Sequence, residues 1–516
     1  MTEDIRNEDR FDPLRRYVPL VVWMLAALVI VFTALKIIGY GYLPYDDALI
    51  DAAKAISGKS WQDILVLGPI YAIDHHFGWH WLLVQIHAML HCTTDGLVAF
   101  EVVTLFLVCC GLPLVWLKRP EAWLGILVFF FIWSGFLDRV VDGRPLIITM
   151  TALFAVLFLW QRSPAGPGWR EGTAIFLLLV IAFFLHGVWY LWALPVAAFF
   201  LAQQYRWGLW LAAMVAVAFP VSLLMTGHPI ELVSQTVRLA LHVESVYVMP
   251  NTRVHEMRPT VPQFIAVLVL AGLAILRRLA KLDALPFHRS PAFWLAAMSW
   301  VLATQTGRFW IDWGLPGLMV LAATDLQLFL EKTMAVDSLK RVGLAACLSV
   351  AVYAVATDDF GGRWTHNLRT QYLTPDNPDL QGWLPEKDGI IYTTDMSVFY
   401  QTFYKNPTAD WRYIVGFEPA YMAPADIDVY SKFIMSNGDP KTLTPWIERM
   451  RPEDRFITRA PRQNTPDLPK LEWNYGLSGI WIGRTPRPVA GGTVPPTVPA
   501  HSERSTNAVP AAPSAK

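Results

Sequence analysis

The chain predicts a polytopic α-helical membrane protein of about eleven spans, N-terminus inside and C-terminus outside, with a small α/β domain at its C-terminal end. Three observations lead there. The composition is 54% hydrophobic against 16% charged, with 23 Trp, beyond the apolar and aromatic usage of soluble proteins. Apolar segments near bilayer-crossing length recur as far as residue 356. From Asp358 onward the composition becomes that of a soluble domain.

The elements follow in order. Arg6, Arg10, Arg15 and Arg16 precede an apolar run from Val18 to Tyr40, which is too long for a signal peptide and has no small-residue cleavage site, so it is a retained first span. Further spans are predicted at 97–117, 121–137, 144–161, 207–226, 261–276, 291–306, 313–330 and 341–356. The stretch 171–204 is too long for one span; a hairpin turning at His186-Gly187 leaves Arg162, Arg170 and Arg206 on one side. The positive-inside rule then places Arg15/Arg16, Lys118/Arg119, Arg162/Arg170, Arg206, Arg277/Arg278 and Lys340/Arg341 inside without conflict. Acidic and histidine residues gather in the loops of the opposite face.

The first outer loop has apolar positions at helical spacing over Asp47 to Ile56, and an apolar Trp-rich stretch over Phe77 to Leu90, both suited to helices lying in the membrane interface. The organisation is a transmembrane unit over 1–356, an α/β domain over 357–487 and a Pro/Ala-rich disordered tail over 488–516. In the domain, Gly389 to Tyr392 and Tyr413 to Phe417 read as strands, Met396 to Tyr404 and Ile427 to Met435 as helices, and Ser478 to Gly483 as a closing strand.

Lys plus Arg and Asp plus Glu both number 42, which leaves no basic excess and excludes nucleic acid as a partner. Cys92, Cys109, Cys110 and Cys347 lie in or beside apolar segments without metal-ligand spacing and read as packing residues. Chemistry therefore rests on the outer loops. Asp46 and Asp47, just beyond the first span, suit a general base that takes a proton from an attacking hydroxyl. The neighbouring carboxylate would orient the acceptor or hold a divalent cation, Mg or Mn; either residue also suits a helix N-cap. Asp74, His75 and His76, with His80 beyond, offer groups for phosphate or metal, or simply polar tips in water. Asp138, Arg139, Asp142 and Arg144 form a third charged loop, in which Arg144 suits a bidentate phosphate clamp. The segment 228–258 is long and charged and reads as a loop, with a mobile lid binding donor or acceptor and a solvated connector as its two alternatives; Arg308 and Asp312 complete the substrate-binding candidates.

This arrangement resembles the GT-C superfamily of polyprenyl-phosphate-sugar-dependent glycosyltransferases, in the vein of protein mannosyltransferases and aminoarabinose transferases. Asp46-Asp47 stands where their acidic motif falls, Asp138 where a second acidic residue often closes the third span, and Gly143-Arg144-Pro145 where an Arg-Pro commonly opens the fourth. The chain lacks a following His-Pro-Pro, an acidic-x-Asp motif and a Trp-Trp-Asp. The resemblance implies an inverting transferase in a bacterial inner membrane, with a periplasmic C-terminal domain. It would move a sugar from a polyprenyl-phosphate donor to a lipid, glycan or protein acceptor. Two other classes compete: a lipid-linked-glycan transporter or flippase, which would bury ionisable residues along its spans, and a non-catalytic envelope scaffold, which would tolerate loss of both Asp46 and Asp47.

Overall fold

The computed structural model describes residues 15–486 except 70, 72, 75, 134, 247–257, 259–263, 469 and 478, with the backbone alone over 239–246. His75, Ser478 and the tail 488–516 lie outside the described residues.

The body is helical and built for a membrane. Among the described residues six helices are long and apolar enough to cross one: Val18–Gly39, Thr94–Trp116, Trp169–His186, Tyr205–Met225, Trp310–Thr333 and Leu339–Thr357. The segments predicted at 121–137, 144–161 and 291–306 and the second arm of the hairpin are shorter apolar helices of 10–17 residues. In chain order the helices are α1 (Val18–Gly39), α2 (Asp47–Ser57), α3 (Trp61–Ile64), α4 (Phe77–Leu90), α5 (Thr94–Phe106), α6 (Pro120–Trp133), α7 (Phe136–Val141) and α8 (Leu146–Arg162). They continue as α9 (Trp169–His186), α10 (Ala193–Leu201), α11 (Tyr205–Met225), α12 (Pro229–Val246), α13 (Ile265–Leu279), α14 (Pro291–Leu302), α15 (Leu315–Thr333) and α16 (Leu339–Thr357). A π-helical turn at Leu107–Gly111 and a 3-10 turn around Pro113 extend α5 to Trp116. The hairpin turns where its sequence indicates: α9 stops at His186 because Gly187 adopts the left-handed conformation, at φ 69°, that ends helices.

Two ion pairs join helices of the body. Arg341 donates to both carboxylate oxygens of Glu121 at 2.5 and 3.1 Å, joining the first turns of α16 and α6. Arg277 does the same to Asp325 at 2.6 and 2.9 Å. Glu121 is fully buried, so Glu121→Ala strands the Arg341 guanidinium. A loss of about 3–5 kcal/mol is expected, read as a lowered unfolding temperature of the purified protein in detergent.

Both stretches expected to be helical, α2 and α4, are helices, and they pack on one another. One expectation changes: the first part of 228–258 is the helix α12, not a loop. Its apolar positions Ile230, Leu232, Val233 and Val237 recur at helical spacing between the charges.

The C-terminal domain adds α17 (Met396–Lys405), α18 (Pro424–Met435), α19 (Thr444–Arg449) and the strands β1 (Ile390–Tyr392), β2 (Arg412–Tyr413), β3 (Arg455–Arg459), β4 (Glu472–Leu477) and β5 (Ile480–Arg484). The sheet order is β2-β1-β3-β5-β4, parallel across β2, β1 and β3 and antiparallel from β3 to β5 to β4. The strand expected over Tyr413 to Phe417 is confined to β2, while β3 and β4 are additional.

The segment between α1 and α4 is part of this sheet's edge. Leu65 bridges Tyr413 in parallel and Leu67 bridges Met422 in antiparallel fashion. The Val66 N–H donates to the Tyr413 carbonyl at 2.9 Å and the Gly68 N–H to Tyr421 at 2.7 Å. Ile50, Ala53, Trp61 and Ile64 of the loop share a core with Phe399, Tyr400 and Phe403 of α17. Asn367 clamps the loop's start, donating to the Gly41 carbonyl at 2.6 Å and accepting from the Leu43 N–H at 3.3 Å. The boundary at 356 thus divides the sequence, whereas packing joins the loop to the domain.

Candidate functional site

Asp46 is the N-cap of α2: its Oδ1 accepts from the Asp47 N–H at 2.6 Å. That arrangement faces both carboxylates toward the loop between α7 and α8. The Arg144 Nη2 donates to the other Asp46 oxygen, and the Arg144 Nε lies 3.0 Å from Asp47 Oδ2. The arginine side chain is 10% exposed whereas each aspartate is 24% exposed, so the carboxylates stay open to a reactant while their counter-charge is held behind them.

Gly143 makes that approach possible. It sits at φ 74°, and a Cβ there would meet the Ala48 Cβ at 2.6 Å. Gly143→Ala therefore combines left-handed strain with a clash against α2, and a cost of about 1–3 kcal/mol is expected, seen as a lower unfolding temperature than wild type.

An ionic chain runs on from Arg144. Asp142 Oδ2 is 4.0 Å from Arg144 Nε and 4.0 Å from Arg139 Nη1. The buried Arg139 grips Asp312 with Nε to Oδ1 at 2.9 Å and Nη2 to Oδ2 at 3.1 Å, and the half-buried Arg308 reaches the same carboxylate at 3.4 Å. Of the residues singled out in the sequence, Asp46, Asp47, Arg139, Arg144 and Arg308 thus belong to one network. Asp138 stands apart on the rim, where Arg363 of the C-terminal domain donates to it from Nε at 3.0 Å.

A second cluster lies one turn along α2. His80 is held between two carboxylates, Nε2 at 2.8 Å from Asp51 Oδ1 and Nδ1 at 2.5 Å from Asp74 Oδ2. Complete burial opposes charge on the ring, but Asp74 and Asp51 outweigh it and push the His80 pKa up to about 10. The imidazolium ties the Asp74 loop to α2 and α4 together. His76 donates its N–H to Asp74 Oδ1 at 3.0 Å, and its ring lies 5.5 Å from that of His186. Beneath the cluster, the Trp79 indole donates to Glu101 at 3.0 Å.

The C-terminal domain supplies a residue that the outer-loop sequences do not reveal. Tyr400 of α17 is buried against α2, and burial together with the Asp47 and Asp46 carboxylates pushes its phenol well above the ordinary value. It is a neutral hydroxyl beside the aspartate pair.

The residues do not fit the divalent cation that two adjacent aspartates suggest. Both carboxylates carry Arg144 where a cation would sit, and no group of three His, Cys, Asp or Glu among the described residues is arranged to hold a metal ion. What the arrangement offers is a solvent-reachable carboxylate pair, fixed at a helix start and backed by one guanidinium. Such a group can accept a proton from a hydroxyl at 2.6–3.2 Å without a change in fold. No family model and no curated protein matches the chain.

Proposed function

We propose that the protein is an inverting glycosyltransferase of the outer membrane face, moving a sugar from a polyprenyl-phosphate donor to an acceptor hydroxyl. The observation that carries this reading is the Asp46-Asp47 pair, open to solvent and anchored on Arg144 beside interfacial helices, where a lipid-linked substrate presents its head group. Both Asp46 oxygens already receive donors, the Asp47 N–H and the Arg144 guanidinium. Asp46 Oδ1 caps α2, and the role of base is assigned to Asp47, whose side chain takes no part in the cap.

In this reading Asp47 takes the proton of the acceptor O–H. The oxygen attacks the anomeric carbon from the side opposite the phosphate, and the C–O bond to phosphate breaks with its electron pair leaving on the phosphate. Arg144 holds the carboxylates in place, and Arg308, partly exposed at the end of the ionic chain, faces the leaving phosphate. The eleven-span arrangement, N-terminus inside and C-terminal domain periplasmic in a bacterial inner membrane, goes with the same proposal. Glu121 pairs with Arg341 and Asp325 with Arg277, so these charges serve packing between helices; the buried Glu101 of α5, which accepts from the Trp79 indole, is the residue a transport path would use.

The test is transfer of radiolabelled sugar from a panel of polyprenyl-phosphate donors by membranes containing the full chain. Transfer with inversion at the anomeric carbon is expected; hydrolysis alone, or transfer with retention, overturns the mechanism.

A further inference from the structure

The residue before the aspartate pair is an exposed aromatic. Tyr45 is 62% exposed, an unusual position for a tyrosine bordering a set of buried charges. One of its faces is covered: the His366 ring of the C-terminal domain stacks on it with centroids 4.0 Å apart and planes 17° from parallel. The stack is braced from below. Tyr42, buried, packs edge-on against Trp364 at 5.0 Å and against His366 at 6.1 Å, and the His366 Nδ1 is 3.0 Å from the Arg363 carbonyl.

Polar groups rim the same ledge. The Arg363 guanidinium covers the Trp364 ring at 4.5 Å and reaches over to Asp138, whose side chain is 62% exposed. Tyr45 directly precedes Asp46, and Asp138 lies on α7 just ahead of Arg144, which holds the aspartate pair, so the ledge borders that pair. A rigid aromatic face bordered by a carboxylate and a guanidinium has the chemistry that a pyranose ring requires. The ring's C–H edges meet the negative face of the aromatic, and its hydroxyls meet the charged rim.

We propose that Tyr45, stacked on His366 and flanked by Asp138 and Arg363, is a sugar-binding platform for the acceptor, which makes the acceptor a glycan. This rests on the glycosyltransferase reading above. It deepens that reading by placing the acceptor ring one residue from Asp46 and leaving the donor to the Arg308 side. The platform is divided between two parts of the chain, so it exists only when the C-terminal domain is docked.

The experiment uses the full chain, purified in detergent, and tritium-labelled gluco-, manno-, galacto- and arabino-oligosaccharides as probes, with binding measured separately from transfer. At least one oligosaccharide is expected to bind. Tyr45→Ala is expected to bind it about tenfold more weakly and Tyr45→Phe to restore binding. In transfer assays Tyr45→Ala raises KM for acceptor and leaves KM for donor unchanged. Binding of no oligosaccharide by wild type, or equal binding by wild type and Tyr45→Ala, overturns the platform even if transfer is intact. Tyr45-dependent binding without any transfer keeps the platform as a sugar site and removes the transferase reading.

Discussion

Asp47→Asn is expected to lower the rate of sugar transfer by about 10²–10⁴-fold, the range that general-base catalysis contributes. The substitution is nearly isosteric and removes the group that receives the acceptor's proton. The fold should survive it, because the N-cap of α2 belongs to Asp46, whose Oδ1 accepts from the backbone N–H of residue 47 at 2.6 Å irrespective of that residue's side chain. Asp46→Asn keeps a capping oxygen, since Asn caps helices about as well as Asp, and gives up half of the charge facing Arg144; a loss smaller than that of Asp47→Asn is expected. The measurement is transfer of labelled sugar at matched protein amounts. If Asp46→Asn is the inactive variant and Asp47→Asn the active one, the roles are reversed. If both transfer at the wild-type rate, the pair does not catalyse.

A loss of stability as large as that of Glu121→Ala is expected at His80. Removing the ring in His80→Ala takes their shared partner from the buried Asp51 and the partly buried Asp74, at a cost of about 3–5 kcal/mol. His80 also gives the wild type a pH dependence of defined sign. Its folded-state pKa of about 10 lies above the ordinary 6.5, so the folded protein holds a proton that the unfolded chain releases first. The stabilisation is complete below about pH 6.5 and is lost as pH rises toward 10. Thermal unfolding in detergent should therefore show a falling transition temperature over that window in wild type. His80→Gln, which keeps a polar side chain but cannot carry the charge, should lack this component. Identical slopes in the two proteins would remove the imidazolium from the account.

What the sequence makes legible depends on the range over which each interaction acts. The helices α2 and α4, the turn at Gly187 and the capping role of Asp46 are all readable, because each rests on residues within a turn or two of one another. The Arg144 approach is half readable: Gly143-Arg144-Pro145 marks a turn, but that its guanidinium ends on Asp46, 98 residues earlier, is a tertiary fact. Asp51 resembles a solvent-face residue of an amphipathic helix, and only the fold brings His80 to it from 29 residues away. Asp138 meets Arg363 across 225 residues, and Tyr400 reaches the aspartates from another domain. The strands β3 and β4 escape notice because RFITR and EWNYGL mix charge and apolar groups without a clean alternation. The helix α12 is hidden by charges that draw attention from its apolar period.

The edge formed by Leu65 and Leu67 against Tyr413 and Met422 has a consequence for biogenesis. The loop that carries Asp46 and Asp47 is synthesised well before its partners, which follow some 349 residues later, the separation at which Lys59 meets Thr408. At about 5–20 residues per second this is a wait of tens of seconds. Throughout it, the hydrogen-bonding groups around Val66 and the apolar side chains of Ile50, Ala53 and Ile64 have no domain to cover them. A protein assembled this way keeps that loop uncovered until the strand at Tyr413 and the segment to Met422 have been made, and in the interval the loop is a natural client for chaperones.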